Sequence, residues 1–289
     1  MGVYEGEFGL NKWKVYQGDC LAVLNSEIDD DSIDCIVTSP PYWERRAYGQ
    51  RGGTDGNIGK WKYANKGKLM KGEIGNGCSY EKYINDIGEV IKLMYKKLKK
   101  NKFAFVNIST WHKNSELIDA SHDIIRIAKD VGFNHWDTII WIKRNPMPSG
   151  RYKEKYLSSG WEYVLAFTKG KGFAVEADNF QPGNSHFICK NCGDDNWLDF
   201  KNATNYFYSN IGCFGRKRKP MKSHPALFPI ELPTYCLSIA TKKNDIVLDP
   251  FAGSGTTLIA GLNLGLNVIG CELIPDIYSG LVEELISLK

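Results

Sequence analysis

The sequence reads Ile246-Val247-Leu248-Asp249-Pro250-Phe251-Ala252-Gly253-Ser254-Gly255-Thr256-Thr257 near its carboxyl end. An apolar run of this kind predicts a buried strand, and the residues that follow predict a glycine turn and the start of a helix. Glycines at such a turn let the backbone approach a ligand closely, as in nucleotide-binding βα turns. The stretch therefore predicts an α/β fold with a ligand at the carboxyl end of this strand.

The kind of ligand follows from what the turn contains and lacks. It has neither the third glycine of a G-x-G-x-x-G dinucleotide fingerprint nor the G-K-[ST] of a P-loop, so a cofactor without phosphates fits better. Glu272 follows at the end of the next predicted strand, where an acidic residue grips ribose hydroxyls in a βαβ unit. An adenosine-containing cofactor is indicated, although a turn of this form also occurs as plain strand-to-helix packing.

Elsewhere the apolar pattern alternates between strand and helix along the chain, which predicts a doubly wound, mostly parallel α/β sheet. The predicted strands are 13–16, 34–38, 103–108, 138–142, 163–167, 246–248 and 266–271. The predicted helices are 84–98, 120–131, 229–241 and 254–264.

A second turn is unusual in its rigidity. The predicted strand 34–38 runs directly into Ser39-Pro40-Pro41-Tyr42-Trp43, and two prolines cannot continue a sheet ladder. Residues 43–79 are then rich in Gly, Lys and Asn with little periodicity, which predicts a long loop. We interpret this loop as a candidate for substrate contact.

Together the two turns resemble a known family. Residues 249–257 resemble the S-adenosylmethionine (AdoMet) motif of the amino-group DNA methyltransferases, and residues 39–42 resemble their catalytic tetrapeptide. The tetrapeptide precedes the AdoMet motif by about 200 residues, which resembles the permuted order of the β class. The short tail after Glu272 cannot complete the cofactor site, so residues 17–20 are expected to contribute. These residues resemble the family element that reaches the cofactor adenine through an aspartate, here Asp19.

The resemblance implies AdoMet as the cofactor and covers most of the chain except residues 49–77 and 170–218. It also covers the segments 161–169 and 224–229, which flank a target-recognition insert in the family. The implied cofactor-binding residues are Asp19, His224, Asp249, Pro250, Phe251, Gly253, Ser254, Gly255, Thr256 and Glu272.

The implied reaction explains the tetrapeptide. An aromatic amino group is a poor nucleophile because its lone pair is delocalised, so hydrogen-bond acceptors must stabilise it as it pyramidalises. The resemblance assigns this role to the Ser39 side chain and the Pro40 carbonyl, with Pro41 helping to fix the direction of that carbonyl. Tyr42, and with it Trp43, would stack on a base that is flipped out of the duplex.

The identity of the base follows from Ser39. In the family, Ser at this position goes mainly with N4 of cytosine and Asp mainly with N6 of adenine, so we expect N4-cytosine methylation with N6-adenine as the alternative. A cytosine-C5 enzyme is excluded because none of the eight cysteines follows a proline. A zinc deaminase is excluded because its H-x-E and P-C-x-x-C elements are missing.

Three further alternatives stay open. An RNA or protein-glutamine methyltransferase uses a related proline-proline-aromatic motif, but the permuted order and the long insert argue against it. A catalytically dead DNA-binding protein would be expected to lose Ser39, Tyr42, Asp249 or Glu272, and all four are intact. A nicotinamide-dependent oxidoreductase is disfavoured by the missing pyrophosphate glycine.

The resemblance also predicts the organisation of the chain. Residues 1–169 and 222–289 would form two parts of one methyltransferase core, and residues 170–221 the recognition insert. Within the insert, four basic residues are candidates for phosphate contact, namely Arg216, Lys217, Arg218 and Lys219. The expected partners are double-stranded DNA and a cognate restriction endonuclease on a separate chain.

Composition sets the remaining bounds. A net charge of +4 is mild, although residues 96–102 form a second basic cluster that a polyanion could contact. No apolar run is long enough to cross a bilayer and no signal pattern is visible at residues 1–14, so a cytoplasmic protein with reduced cysteines is expected. Cys189 and Cys192 form a lone C-x-x-C, which is weak evidence for zinc, and no metal is predicted.

Overall fold

A computed structural model describes residues 2–44, 72–146, 157–172, 204–211 and 228–288, together with the backbone of 186–188 and 195–197. Within these ranges the main element is a nine-stranded sheet in the order β1-β2-β13-β12-β3-β4-β8-β7-β11. Its strands are β1 Gly2–Phe8, β2 Asn11–Gln17, β3 Ile33–Thr38, β4 Leu98–Ile108, β7 Asn134–Lys143, β8 Trp161–Thr168, β11 Tyr206–Ser209, β12 Ile246–Asp249 and β13 Asn267–Glu272.

Two small hairpins stand outside this sheet. One pairs β5 with β6, and the other pairs β9 with β10. Their strands are β5 Trp111–Lys113, β6 Glu116–Ile118, β9 His186–Ile188 and β10 Asp195–Trp197. The helices are α1 Cys20–Ser26, α2 Tyr80–Lys97, α3 Ser121–Val131, α4 Glu231–Ala240, α5 Thr256–Asn263 and α6 Pro275–Ser287.

The sheet is covered on both faces, as the predicted doubly wound fold requires. Residues of α1, α2 and α3 contribute to one apolar cluster, and residues of α4, α5 and α6 contribute to another. Central strands supply both clusters by alternation: on β3, Cys35 and Val37 belong to one cluster, whereas Ile33 and Ile36 belong to the other. All of β3 is buried, which explains its continuous apolar sequence.

The central strands are parallel, and their carboxyl ends lie at one edge of the sheet. β2, β13, β12, β3 and β4 pair in parallel, whereas β8 pairs antiparallel with both β4 and β7. Ligands bind at the carboxyl ends of strands in such sheets, because helix starts and loops converge there. We call this edge the carboxyl edge.

The two ends of the described chain meet in the cofactor half of the sheet. β2 pairs in parallel with β13, and Gln17 lies opposite Glu272 in that register. This pairing confirms the expectation that the amino-terminal segment completes the part of the fold that begins at the glycine turn.

The predicted insert contains a strand that belongs to the main sheet. β11 pairs in parallel with β7, and Phe207 lies opposite Trp141. The proposed boundaries at residues 170 and 221 stay predictions. In the described part of the chain, the helices are all too short or too polar to span a membrane.

Candidate active site

The two sequence motifs meet at adjacent strand ends on the carboxyl edge. β12 pairs in parallel with β3, so Asp249 and Thr38 end neighbouring strands. The Thr38 hydroxyl donates a hydrogen bond of 2.6 Å to Asp249 Oδ1, and both residues are buried. Ser39 directly follows Thr38, so this bond ties the start of the tetrapeptide to the start of the glycine turn.

The glycine turn is held by hydrogen bonds from its own backbone. Phe251 N donates to Asp249 Oδ1 at 3.0 Å, and Gly253 N donates to Glu272 Oε2 at 3.0 Å. Gly253 and Gly255 have φ angles of 52° and 80°, in the left-handed region that favours glycine. Gly255 then precedes α5, whose first residue is Thr256. The turn and the start of the helix therefore form as the sequence predicts.

The remaining predicted residues of this turn lie beside it. Pro250 and Phe251 follow β12, and the Ser254 hydroxyl lies 3.4 Å from the Thr256 hydroxyl. Asp249 Oδ2 and Thr257 Oγ1 are buried and have no hydrogen-bond partner among the described residues. The Thr257 hydroxyl is still close enough to lower the pKa of Asp249. The start of α5 thus holds an unsatisfied buried acceptor.

Burial shifts the titration of both carboxyl groups of the site. It raises the pKa of Asp249 to about 6, against the effect of hydrogen bonds from Thr38 and Phe251. It raises the pKa of Glu272 to about 7, against the effect of backbone N–H groups from Ile274 and Gly253. Desolvation favours the neutral form of a carboxyl group, whereas a nearby cation would favour the ionised form.

This chemistry fits one type of ligand better than another. Residues 249–257 contain no lysine or arginine, and the two carboxyl groups would repel a phosphate. Carboxylates accept hydrogen bonds from hydroxyl and ammonium groups and attract a positive charge. The site therefore fits a cationic nucleoside such as AdoMet, which carries ribose hydroxyls, an ammonium and a sulfonium.

The amino-terminal element lies directly beside Glu272. Gly18 N donates to the Glu272 carbonyl at 3.0 Å, which extends the β2–β13 pairing by one residue. Asp19 is the N-cap of α1, and its Oδ1 accepts a hydrogen bond of 2.9 Å from Leu21 N. Asp19 therefore lies at the predicted side of the cofactor turn, and its contact with an adenine stays a prediction.

Tyr42 of the tetrapeptide has two neighbours that fix its ring. Its ring stacks on Trp111 of β5, with centroids 5.6 Å apart and planes 11° apart. Its hydroxyl donates to Glu162 Oε2 of β8 at 3.3 Å. Pro40 is buried, whereas Ser39, Pro41 and Tyr42 are partly exposed. The tetrapeptide is thus anchored in the fold and open on one side.

Trp43 is held by a different set of contacts. Its Nε1 donates to the Cys78 carbonyl at 2.8 Å, and its ring meets Tyr80 edge-on at 5.2 Å. Lys113 of β5 lies over the ring, 3.5 Å from its centroid, and also pairs with Glu44. These contacts fasten Trp43 to the protein, and its predicted contact with DNA stays a prediction.

Some predicted residues fall outside the described ranges. These are His224, Arg216, Lys217, Arg218, Lys219, Cys189 and Cys192, together with most of the predicted loop 43–79. Over the ranges the structure covers, no cluster of His, Cys, Asp and Glu could hold a metal ion.

The basic cluster at residues 96–102 has a structural role that the sequence did not indicate. Lys97 pairs with Asp30 at 2.7 Å, and Lys99 pairs with Asp34 at 2.8 Å. Lys102 pairs with Asp245 at 2.9 Å. These lysines lie near the amino ends of β3 and β12, opposite the carboxyl edge, so they do not form a free surface for a polyanion beside the site.

Sequence reasoning missed the residues that surround Tyr42. Trp111 lies just beyond the end of β4, and only its position after a predicted strand end could have marked it. Glu162 is a charged residue in the otherwise apolar stretch of β8, which is the kind of signal that points to a buried polar role. Lys143 at the end of β7 gives the same signal.

Known proteins resemble the chain over most of its length. The profile of the DNA methylase family (N6_N4_Mtase) matches residues 33–283. The Type II beta methyltransferase M.BslI of Bacillus sp. (strain NEB-606) is 26% identical over 281 residues, which cover 91% of this chain and 26% of that protein. The chain therefore spans about a quarter of the length of this relative.

Two solved structures share the fold. The PvuII DNA methyltransferase (cytosine-N4-specific) superposes with a TM-score of 0.67 at 18% identity, covering 96% of this chain and 90% of the other. A DNA modification methylase of Thermus thermophilus, solved with S-adenosyl-L-methionine, has a TM-score of 0.61 at 22% identity and 94% coverage of both chains. With its tetrapeptide and glycine turn on neighbouring strands and its family profile matched over residues 33–283, the chain belongs to the N6/N4 DNA methylase family.

Proposed function

We propose that the protein transfers a methyl group from AdoMet to N4 of a flipped-out cytosine in double-stranded DNA. The observation that carries the proposal is the hydrogen bond between Thr38 and Asp249. It holds the tetrapeptide and the glycine turn on adjacent strand ends, so an acceptor for the base and a site for the cofactor share one edge. Methyl transfer needs this proximity, because the nitrogen must attack in line with the bond that breaks.

AdoMet supplies an electrophilic methyl group, and the protein positions the base that accepts it. Glu272 and Asp249 offer acceptors to the hydroxyl and ammonium groups of the cofactor, and Asp19 lies on the side of the adenine. The likeness to a methylase solved with S-adenosyl-L-methionine supports this choice.

Ser39 and Pro40 act on the amino group of the base. As the amino nitrogen pyramidalises and loses charge, the Ser39 side chain and the Pro40 carbonyl accept hydrogen bonds from its protons. The partial exposure of Ser39 and Tyr42 leaves room for a flipped base. The flip costs a few kcal/mol, and stacking on Tyr42 recovers part of it.

Recognition and partners belong to the same proposal. Residues 170–221 would read the target sequence, and Arg216 to Lys219 would contact phosphates without reading sequence. The relatives named as Type II methyltransferases support a role in restriction-modification, with a cognate endonuclease as a separate protein in the cytoplasm.

The test is to identify the methylated base. The purified protein is incubated with AdoMet and DNA of varied sequence, and the DNA is digested to nucleosides for mass spectrometry. N4-methylcytosine is the expected product, and the Ser39→Ala variant serves as the control. N6-methyladenine would keep the chemistry and contradict the choice of base. Methylation of RNA or protein with none on DNA would contradict the substrate.

A further inference from the structure

A buried ion pair lies at the carboxyl edge, next to the tetrapeptide. Lys143 Nζ at the end of β7 lies 2.9 Å from Glu162 Oε1 near the start of β8. The two side chains are only 7% and 12% exposed. Removing two charges from water is costly, and the attraction between them often does not repay it, so a pair of this kind calls for a role beyond stability.

The two oxygens of Glu162 have different partners. Oε1 faces Lys143, whereas Oε2 accepts the hydrogen bond from the Tyr42 hydroxyl at 3.3 Å. The Lys143 ammonium also donates to the Ser159 hydroxyl at 3.3 Å, which holds the far end of the pair. The ion pair therefore connects two neighbouring strands to the tip of one catalytic side chain.

Trp111 supplies a second constraint on the same ring. It stacks on Tyr42 with planes 11° apart, and it is itself 8% exposed. The stack sets the plane of the Tyr42 ring, and the hydrogen bond to Glu162 sets the position of the ring within that plane. A ring held at both its face and its hydroxyl keeps its place before a base arrives.

We propose that Glu162, held by Lys143, is a positioning residue that fixes the Tyr42 ring as the surface on which the target base stacks. The inference rests on the proposed function, because Tyr42 needs this order only if it meets a base. Glu162 acts through Tyr42 and does not touch the base. Its loss therefore lowers the rate of methyl transfer rather than the affinity for AdoMet.

The kinetic test is a double-mutant cycle between Glu162→Gln and Tyr42→Phe. Glutamine keeps the volume of the side chain and removes the charge, whereas phenylalanine keeps the ring and removes the hydroxyl. We expect Glu162→Gln to lower kcat roughly 10-fold, the value of one hydrogen bond to a charged group, with an unchanged KM for AdoMet. In the Tyr42→Phe background, Glu162→Gln should have no further effect on kcat.

A spectroscopic test reports on the ring without any reaction. 3-Fluorotyrosine is incorporated at position 42, and its ¹⁹F resonance is recorded in the absence of DNA. We expect one narrow resonance in the otherwise wild-type protein and a shifted or broadened one with Glu162→Gln. The matched control is Asp30→Asn, which removes the partner of another buried lysine, Lys97, far from the site. That variant should lower stability and leave both the resonance and kcat unchanged.

The outcomes separate this inference from the proposed function. If the wild-type protein methylates DNA but Glu162→Gln changes neither kcat nor the resonance, the inference fails and the function stands. Equal losses of kcat in both backgrounds of the cycle would also overturn it. If the resonance responds to Glu162→Gln but the wild-type protein methylates no DNA, the ring is positioned as inferred and the proposed function fails.

Discussion

The side chains of Thr38 and Asp249 share a 2.6 Å hydrogen bond, although 211 positions separate them in the chain. It is buried, and it joins the strand that carries the tetrapeptide to the strand that carries the glycine turn. Asp249 Oδ1 also accepts the N–H of Phe251, so the same oxygen fixes the first step of the turn. A change at Thr38 should therefore affect both stability and cofactor binding.

Thr38→Val tests this bond. The variant keeps the shape of the side chain and removes the donor, which leaves a buried carboxyl group with fewer partners. We expect the free energy of unfolding to fall by about 1–3 kcal/mol and the affinity for AdoMet to weaken. Urea unfolding and titration calorimetry measure the two effects. Thr241→Val is the matched control, because the Leu237 carbonyl that accepts its hydroxyl also accepts a backbone N–H.

Glu272 and Asp249 should make stability depend on pH in an unusual direction. Their folded pKa values, about 7 and about 6, exceed the unfolded values of 4.5 and 3.8, so the folded protein binds more protons in between. Stability without cofactor should then fall as pH rises from about 5 to about 7.5. Urea unfolding across this range, at constant ionic strength, measures the slope. Glu272→Gln should reduce it, and an identical slope in this variant would contradict the assignment.

Gly255→Ala should damage the turn through both its backbone and its packing. Gly255 has a φ of 80°, and a Cβ there would lie 2.2 Å from Leu281 Cδ1 of α6. We expect a loss of about 2–5 kcal/mol in the free energy of unfolding, together with weaker AdoMet binding. Gly9→Ala is the control, since Gly9 has a φ of 62° but no atom within 4 Å of its added Cβ. It should cost about 1–2 kcal/mol and leave AdoMet binding intact.

Ser39→Ala should separate catalysis from cofactor binding. Loss of one preorganised hydrogen-bond partner at a reacting group lowers kcat by about 100-fold in comparable sites. AdoMet binding should not change, because the glycine turn does not depend on the Ser39 hydroxyl. Single-turnover methylation and calorimetry measure the two quantities. Ser26→Ala, at an exposed helix end, controls for loss of a hydroxyl, and equal kcat values in the two variants would remove Ser39 from the reaction.

The part of the fold near the motifs could be predicted because its signals are local. β12, its glycine turn and α5 appear in sequence as an apolar run, glycines and a helix start, and the tetrapeptide marks the end of β3. α6 was not predicted, nor were β1 and the hairpin of β5 and β6. β1 is a largely exposed edge strand, and the hairpin strands have three residues each, which is too short for periodicity to show.

The surroundings of Tyr42 could not be predicted for a different reason. Trp111 and Glu162 lie 69 and 120 positions from Tyr42 in the chain, so no spacing rule links them. Sheet topology brings them together, because β8 returns antiparallel beside β4 and places its first residues at the carboxyl edge. The lysines at 97, 99 and 102 show the converse, since their acidic partners are also distant in sequence.

The pairing of β2 with β13 also constrains how the protein comes to be folded. β2 is made early in synthesis, but its strand partner appears only after about 250 further residues, so β2 must wait with an unpaired edge. Loop closure over such a distance is slow, and an unpaired apolar strand is exposed to aggregation meanwhile. The antiparallel hairpin with β1 gives β2 a local partner during this interval. The small first strand, remote from any chemistry, thus serves as a temporary guard for the nascent chain.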